Sequence, residues 1–81
     1  MQLKANKTSM YKLAKRYIPD LPNSKEMRFT KAPRSRGYFL ESYGHKIYLS
    51  VVLGRPFMMN KNDIICHPTI VELQELGMIE E

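Results

Sequence analysis

Residues 38–53 read YFLESYGHKIYLSVVL, and this stretch decides the fold class. Two runs rich in aromatic and β-branched residues flank Gly44-His45, the pattern of two antiparallel strands joined by a tight turn. Glycine at the first central position suits a type II′ turn. That turn sets Tyr43 opposite Lys46, Ser42 opposite Ile47, Glu41 opposite Tyr48, Leu40 opposite Leu49, Phe39 opposite Ser50 and Tyr38 opposite Val51. Side chains alternate along a strand, so the hairpin sorts into two faces. Tyr38, Leu40, Ser42, Ile47, Leu49, Val51 and Leu53 form an apolar set that reads as core. Phe39, Glu41, Tyr43, Lys46, Tyr48, Ser50 and Val52 form the other, which mixes three aromatics with charge.

Working toward the N-terminus, residues 26–31 alternate, with Met27 and Phe29 on one side and Arg28 and Thr30 on the other. This is the signature of a short strand, placed at a sheet edge. Residues 32–37 form a basic loop containing Pro33, Arg34, Ser35, Arg36 and Gly37, and residues 19–25 form a loop punctuated by Pro19, Pro22 and Asn23. Before it, residues 8–18 read as an amphipathic helix, because Met10, Leu13, Ala14 and Tyr17 recur on one face. Thr8 or Ser9 is the expected cap and Pro19 the stop. Lys12, Lys15 and Arg16 occupy the other side. Lys4 and Lys7 precede the helix, where positive charge opposes the helix dipole and a bound phosphate would relieve it.

Toward the C-terminus, Gly54 and Pro56 interrupt the strand pattern. Residues 57–59 suggest a further short strand, residues 60–63 a turn, and residues 64–66 a partner strand. A helix is expected from about Pro68, a residue well tolerated in a first turn. Ile70, Leu73 and Leu76 mark its inner side, with Val71 alongside. Gly77 then suits a C′ residue, with Met78 as the apolar contact of a Schellman ending. The expected architecture is α+β: a small antiparallel sheet centred on the 38–53 hairpin, with an N-terminal and a C-terminal helix, in one domain spanning residues 1–81.

At 81 residues the chain has room for one core. Its 43% hydrophobic and 26% charged composition is that of a globular domain. The longest nearly continuous apolar run, residues 47–53, is about a third of the length that crosses a bilayer. No membrane partner is expected. With no charged-then-apolar leader and a single cysteine, a cytoplasmic location is the expectation.

The formal net charge of +5 hides a division. Residues 1–61 carry all 13 bases against Asp20, Glu26 and Glu41, a net of +10, whereas residues 62–81 carry five acids and no base. A basic body of this kind attracts polyanions. The same split lets the acidic end dock on a basic surface, its own or that of a second copy, so a dimer is one expectation and masking of the basic face is another.

Chemistry-bearing residues narrow the function. His45, Cys66 and His67 are too few for the four-ligand set of a structural zinc site, and no P-loop or dinucleotide-binding glycine pattern is present. No catalytic residue, metal or cofactor is expected, and the chain does not read as an enzyme. The mixed hairpin face is the best candidate site. Tyr43 and Tyr48, with Phe39, offer stacking surfaces for unpaired bases, while Arg34, Arg36 and Lys46 reach phosphates. Lys12, Lys15 and Arg16 extend the charged track. The expected function is non-catalytic binding of RNA or single-stranded nucleic acid, of the kind found in a phage or mobile-element accessory factor. The alternative is a small interaction module that modulates an acidic host enzyme, using the basic surface or the methionine-rich 57–59 region. Duplex DNA binding through the N-terminal helix is less well supported, since that helix lacks a helix-turn partner.

Overall fold

In the computed structural model, which describes residues 2–32 and 37–80, the hairpin of residues 38–53 becomes the middle of a larger sheet. The element order is β1 (Gln2–Leu3), α1 (Lys7–Tyr17), a 3-10 turn (Ser24–Glu26), β2 (Arg28–Lys31), β3 (Tyr38–Ser42), β4 (His45–Val52), β5 (Arg55–Asn60), β6 (Asp63–Cys66), α2 (Ile70–Glu75) and β7 (Ile79–Glu80). Strands β2 to β6 form an antiparallel meander in sequence order. β2 lies at one edge, as its alternation suggested. The fold is a small α+β arrangement.

The β3–β4 register differs from the expected one. Ser42 faces His45, Glu41 faces Lys46, Leu40 faces Ile47, Phe39 faces Tyr48 and Tyr38 faces Leu49. The two central turn residues are therefore Tyr43 and Gly44, with the glycine second and its φ at +91°. That is the type II arrangement rather than type II′. The reason lies in the pairs: aromatic now meets aromatic at Phe39–Tyr48, and acid meets base at Glu41–Lys46, both stabilising across strands. The expected register would have set Phe39 against Ser50 and Glu41 against Tyr48. Because the partners move by two positions, the period of two leaves both faces intact.

The β4–β5 connection is a second tight hairpin. Leu53 and Gly54 sit at φ +53° and +75°, the two positive values of a type I′ turn. Leu53, expected in the core from its alternation, is instead 96% exposed, because the strand ends at Val52 and the turn points the side chain away. Pro56 is accommodated because β6 runs only as far as Cys66, opposite Met58. At Pro56, β5 is thus an edge strand, where a missing N–H is tolerated.

Local chemistry sets the helix ends. Asn6, not Thr8 or Ser9, caps α1: its Oδ1 accepts from the Ser9 amide at 2.8 Å, and Ser9 Oγ accepts from the Asn6 amide at 3.1 Å. This reciprocal box satisfies two otherwise orphaned donors. Met10, Leu13 and Ala14 are buried as the spacing implied. The second helix starts at Ile70 rather than at Pro68, because Thr69 supplies the cap, its Oγ1 accepting from the Glu72 amide at 3.0 Å. Its ending follows the expected pattern. Gly77 has φ +70°, and the Gly77 and Met78 amides donate to the Gln74 and Leu73 carbonyls at 3.0 and 2.8 Å. With only six residues α2 buries a narrow face, so Leu73 is enclosed while Ile70 and Val71 are exposed. A two-residue strand at each end, β1 against β7, completes the fold. Two residues are too few to show a period.

The core joins the two layers. Leu40, Ile47, Leu49 and Met58 of the sheet pack with Met10 and Leu13 of α1 and with Leu73 and Met78, all fully buried. Truncating one of them leaves a void that a chain this small cannot refill. Leu49→Ala is expected to lower the unfolding free energy by about 2–5 kcal/mol, read as a lower urea midpoint at unchanged slope.

Candidate nucleic-acid interface

Both helices contribute their buried residues to one face of the meander, so the functional question concerns the other. Alternation and register place a central row there: Thr30, Phe39, Tyr48, Met59 and Ile64, one from each strand. A flanking row holds Arg28, Glu41 and Lys46, joined by Lys61, whose amide donates to the Lys46 carbonyl at 2.7 Å. On the other flank are the pairs Ser50–Phe57 and Val52–Arg55. Among the described residues, the result is an aromatic and thioether centre rimmed by four bases and a single acid, Glu41. Among the described residues, no helix lies over it.

The centre is built by ring packing. Phe39 and Tyr48 have centroids 4.7 Å apart, and Tyr48 and Phe57 meet edge-on at 5.9 Å. Such offset and edge contacts are the favoured geometries for aromatic pairs. The Lys46 ammonium sits 5.6 Å from the Phe39 ring centroid, so the charge is held beside the aromatic surface by the cation–π attraction. A shallow depression of about 390 Å³ opens here, lined by Phe39, Lys46, Tyr48, Met59, Lys61 and Asn62. Gly37 supports the same site from below. A Cβ at that position would overlap the Tyr48 ring, so only glycine lets the ring lie against the backbone.

The expected site residues divide into three groups. Lys46 and Tyr48 lie on this face, and Tyr43 stands fully exposed in the turn at the Lys46 end. Arg34 and Arg36 fall outside the described residues. Lys12, Lys15 and Arg16 are on α1, in the opposite layer. Two of those three are engaged within the fold: Lys15 Nζ donates to the Leu21 carbonyl at 3.1 Å, and Arg16 pairs with Glu72 at 3.0 Å. The acidic helix therefore meets the basic helix, and neither of them lies over the sheet face. Sequence reading missed Arg28, Arg55, Phe57, Met59 and Lys61 as parts of this face. Carrying the two-residue alternation from β4 through the Leu53-Gly54 turn would have found the last four. The sequence places residues 57–59 only in a short strand and in the surface offered to the alternative protein partner; the structure divides them, burying Met58 and leaving Phe57 and Met59 half-buried on the open face.

Glu72 organises a second polar cluster, in the helical layer. Its carboxylate accepts from Tyr17 Oη at 2.7 Å as well as from Arg16. Burial works to raise the Glu72 pKa, but the hydrogen bonds from Tyr17 and Arg16 outweigh it and hold the group below its ordinary value. The same hydrogen bond, with some burial, pushes the Tyr17 phenol up to about 12. Burial, with the nearby Glu72 charge, pushes the Cys66 thiol up to about 11. Cys66 is therefore a protonated, weakly nucleophilic thiol at neutral pH. Among the described residues, no three His, Cys, Asp or Glu side chains converge as a metal site, and no helix is long and apolar enough to cross a membrane.

No family model matches the chain, and neither a curated protein nor a solved structure matches it.

Two outcomes follow from this geometry. The Tyr17–Glu72 bond needs a protonated phenol and an ionised carboxyl. Its contribution is present between the ordinary carboxylate and phenol ranges. It fades as pH falls through the depressed Glu72 value, or rises from 10 toward 12. Tyr17→Phe is expected to remove a transition near 12 from the ultraviolet titration and to lower stability only inside that window. Separately, Gly37→Ala is expected to destabilise by about 1–3 kcal/mol through overpacking, with the Tyr48 ring resonances displaced in NMR spectra.

Proposed function

We propose that the protein binds single-stranded nucleic acid, RNA or DNA, on the open face of its sheet and does so without catalysis. The observation that carries this reading is the combination on one surface of Phe39, Tyr48 and Phe57 with Lys46, Lys61, Arg28 and Arg55. Unpaired bases expose flat faces that stack on aromatic rings, and each stack contributes about 1–3 kcal/mol. The phosphates require cations at the margins, where the lysines and arginines stand. A sheet is well suited to this because it presents neighbouring strands at about 4.8 Å and successive same-face residues at roughly twice the rise per residue, a spacing that a splayed strand of nucleotides can follow.

Glu41 fits this reading better than the sequence alone implied. It stands opposite Lys46 and Arg28 rather than opposite Tyr48, so its charge belongs to the flanking row, where two bases outnumber it. The rival reading, an acidic protein partner, uses the same rim but gives the aromatic centre no preference for unpaired bases. Strand selectivity therefore separates them.

The test is binding of labelled oligonucleotides of equal length, single-stranded and duplex, over a range of salt. Tyr43→Ala leaves the fold undisturbed, since the ring is fully exposed. It is expected to weaken single-strand binding about 5-fold or more while changing duplex binding less. Replacing both Lys46 and Lys61 by alanine is expected to flatten the slope of log affinity against log salt by about 1.4 for a single strand. Absence of any complex at low salt, or equal affinity for single strand and duplex, defeats the proposal.

A further inference from the structure

Leu53 is the residue that stability does not explain. It is 96% exposed, its neighbour Val52 is 56% exposed, and together they form the tip of the β4–β5 hairpin. Its backbone is left-handed, φ +53°, a conformation in which an L-residue clashes its Cβ against the following carbonyl. Type I′ turns are ordinarily made by Asn-Gly or Asp-Gly. Leucine at this position strains the turn and also leaves apolar surface in water. Strain combined with exposure points to a role outside the fold.

The position of the tip indicates what that role is. Val52 pairs with Arg55 on the open face, two residues along from the Ser50–Phe57 pair and four from Tyr48. Beyond the Ser50–Phe57 pair, whose serine is itself buried, the face ends in an apolar point with an arginine beside it. A single strand that stacks on Tyr48 and passes Phe57 toward the tip reaches Leu53 about 17 Å beyond Tyr48. A flat base pair at the end of a duplex suits an apolar side chain there, since leucine and similar residues act as wedges against base steps. Arg55 is placed for the adjoining phosphate. Two apolar side chains are far too little surface for a stable dimer, which needs roughly 1,000 Å² or more.

Building on the single-strand reading above, we propose that Leu53 is a wedge that abuts the first base pair where a single strand meets a duplex. The protein therefore selects junctions, such as the foot of a stem-loop, over uniform single strands. The strained turn is retained because the side chain it displays is used.

The experiment compares a hairpin oligonucleotide bearing a single-stranded tail with the tail alone, using wild type and Leu53→Asn. The fluorescent base 2-aminopurine occupies the first paired position. Wild type is expected to bind the tailed hairpin about tenfold or more tightly than the tail, and to brighten the probe as the terminal pair unstacks. Leu53→Asn is expected to melt at a higher temperature, bind the tail as wild type does, and lose both the preference and the brightening. A preference that survives in Leu53→Asn overturns the wedge, as does wild-type binding of tail and tailed hairpin with equal affinity. Both results leave single-strand binding standing, whereas failure of wild type to bind the tail at all removes that reading as well. Leu53-dependent binding to vesicles of mixed neutral and anionic phospholipid, without a junction preference, would assign the tip to a membrane surface instead.

Discussion

One-sided burial of the five-stranded sheet is the constraint on which the rest depends. The two helices together supply 17 helical residues, enough to roof one face of the meander and no more. Leu40, Ile47, Leu49 and Met58 take that cover, meeting Met10, Leu13 and Leu73. Every residue of opposite parity is consequently pushed to the other side, where Phe39, Tyr48, Phe57 and Met59 shelter one another only partly. The aromatic face is thus a consequence of length and alternation. Cysteine pairing cannot supply additional cohesion, because the chain has a single Cys. The helical layer gains it instead from the Arg16–Glu72–Tyr17 cluster and the β1–β7 clasp.

Charge follows the same division. The acidic segment that balances the basic body meets it at Arg16, within the helical layer, through a bidentate use of the Glu72 carboxylate by two different donors. Exposed pairs of this type contribute little individually, so the cluster matters more for where it places charge than for its energy. Among the described residues, the acid on the sheet face is Glu41, which lies in register between Arg28 and Lys46. The bases there are thus free of the contact that engages Arg16, and basic charge flanks the aromatic centre.

Much of this was legible in the residues. The period of two in 38–53 fixed both faces of the central hairpin even though the turn was misplaced, because a displacement of two positions returns every side chain to its own side. Gly77-Met78 marked the end of α2 because a left-handed glycine followed by an apolar residue has few other uses. The capping of α1 was misplaced for a local reason: Ser9 looked like a cap, but in a reciprocal box the serine is the third helical residue and Asn6 is the cap. The site was read only in part. Lys12, Lys15 and Arg16 share the charge of the candidate face but not its layer, and charge counts along a chain carry no information about layers. Leu53 was misread because a leucine in a type I′ turn contradicts local preference, and such contradictions gather where a side chain serves something other than folding.

The central claim is that the open sheet face, and not the helical layer, is the binding surface. NMR titration of the labelled protein with a short unstructured oligonucleotide tests it most directly. Shift changes concentrated at Phe39, Lys46, Tyr48, Phe57 and the Met59 methyl, with Lys12, Lys15 and Arg16 unmoved, are the predicted result. Changes confined to α1 and α2, with the aromatic resonances of the sheet unaltered, would contradict it.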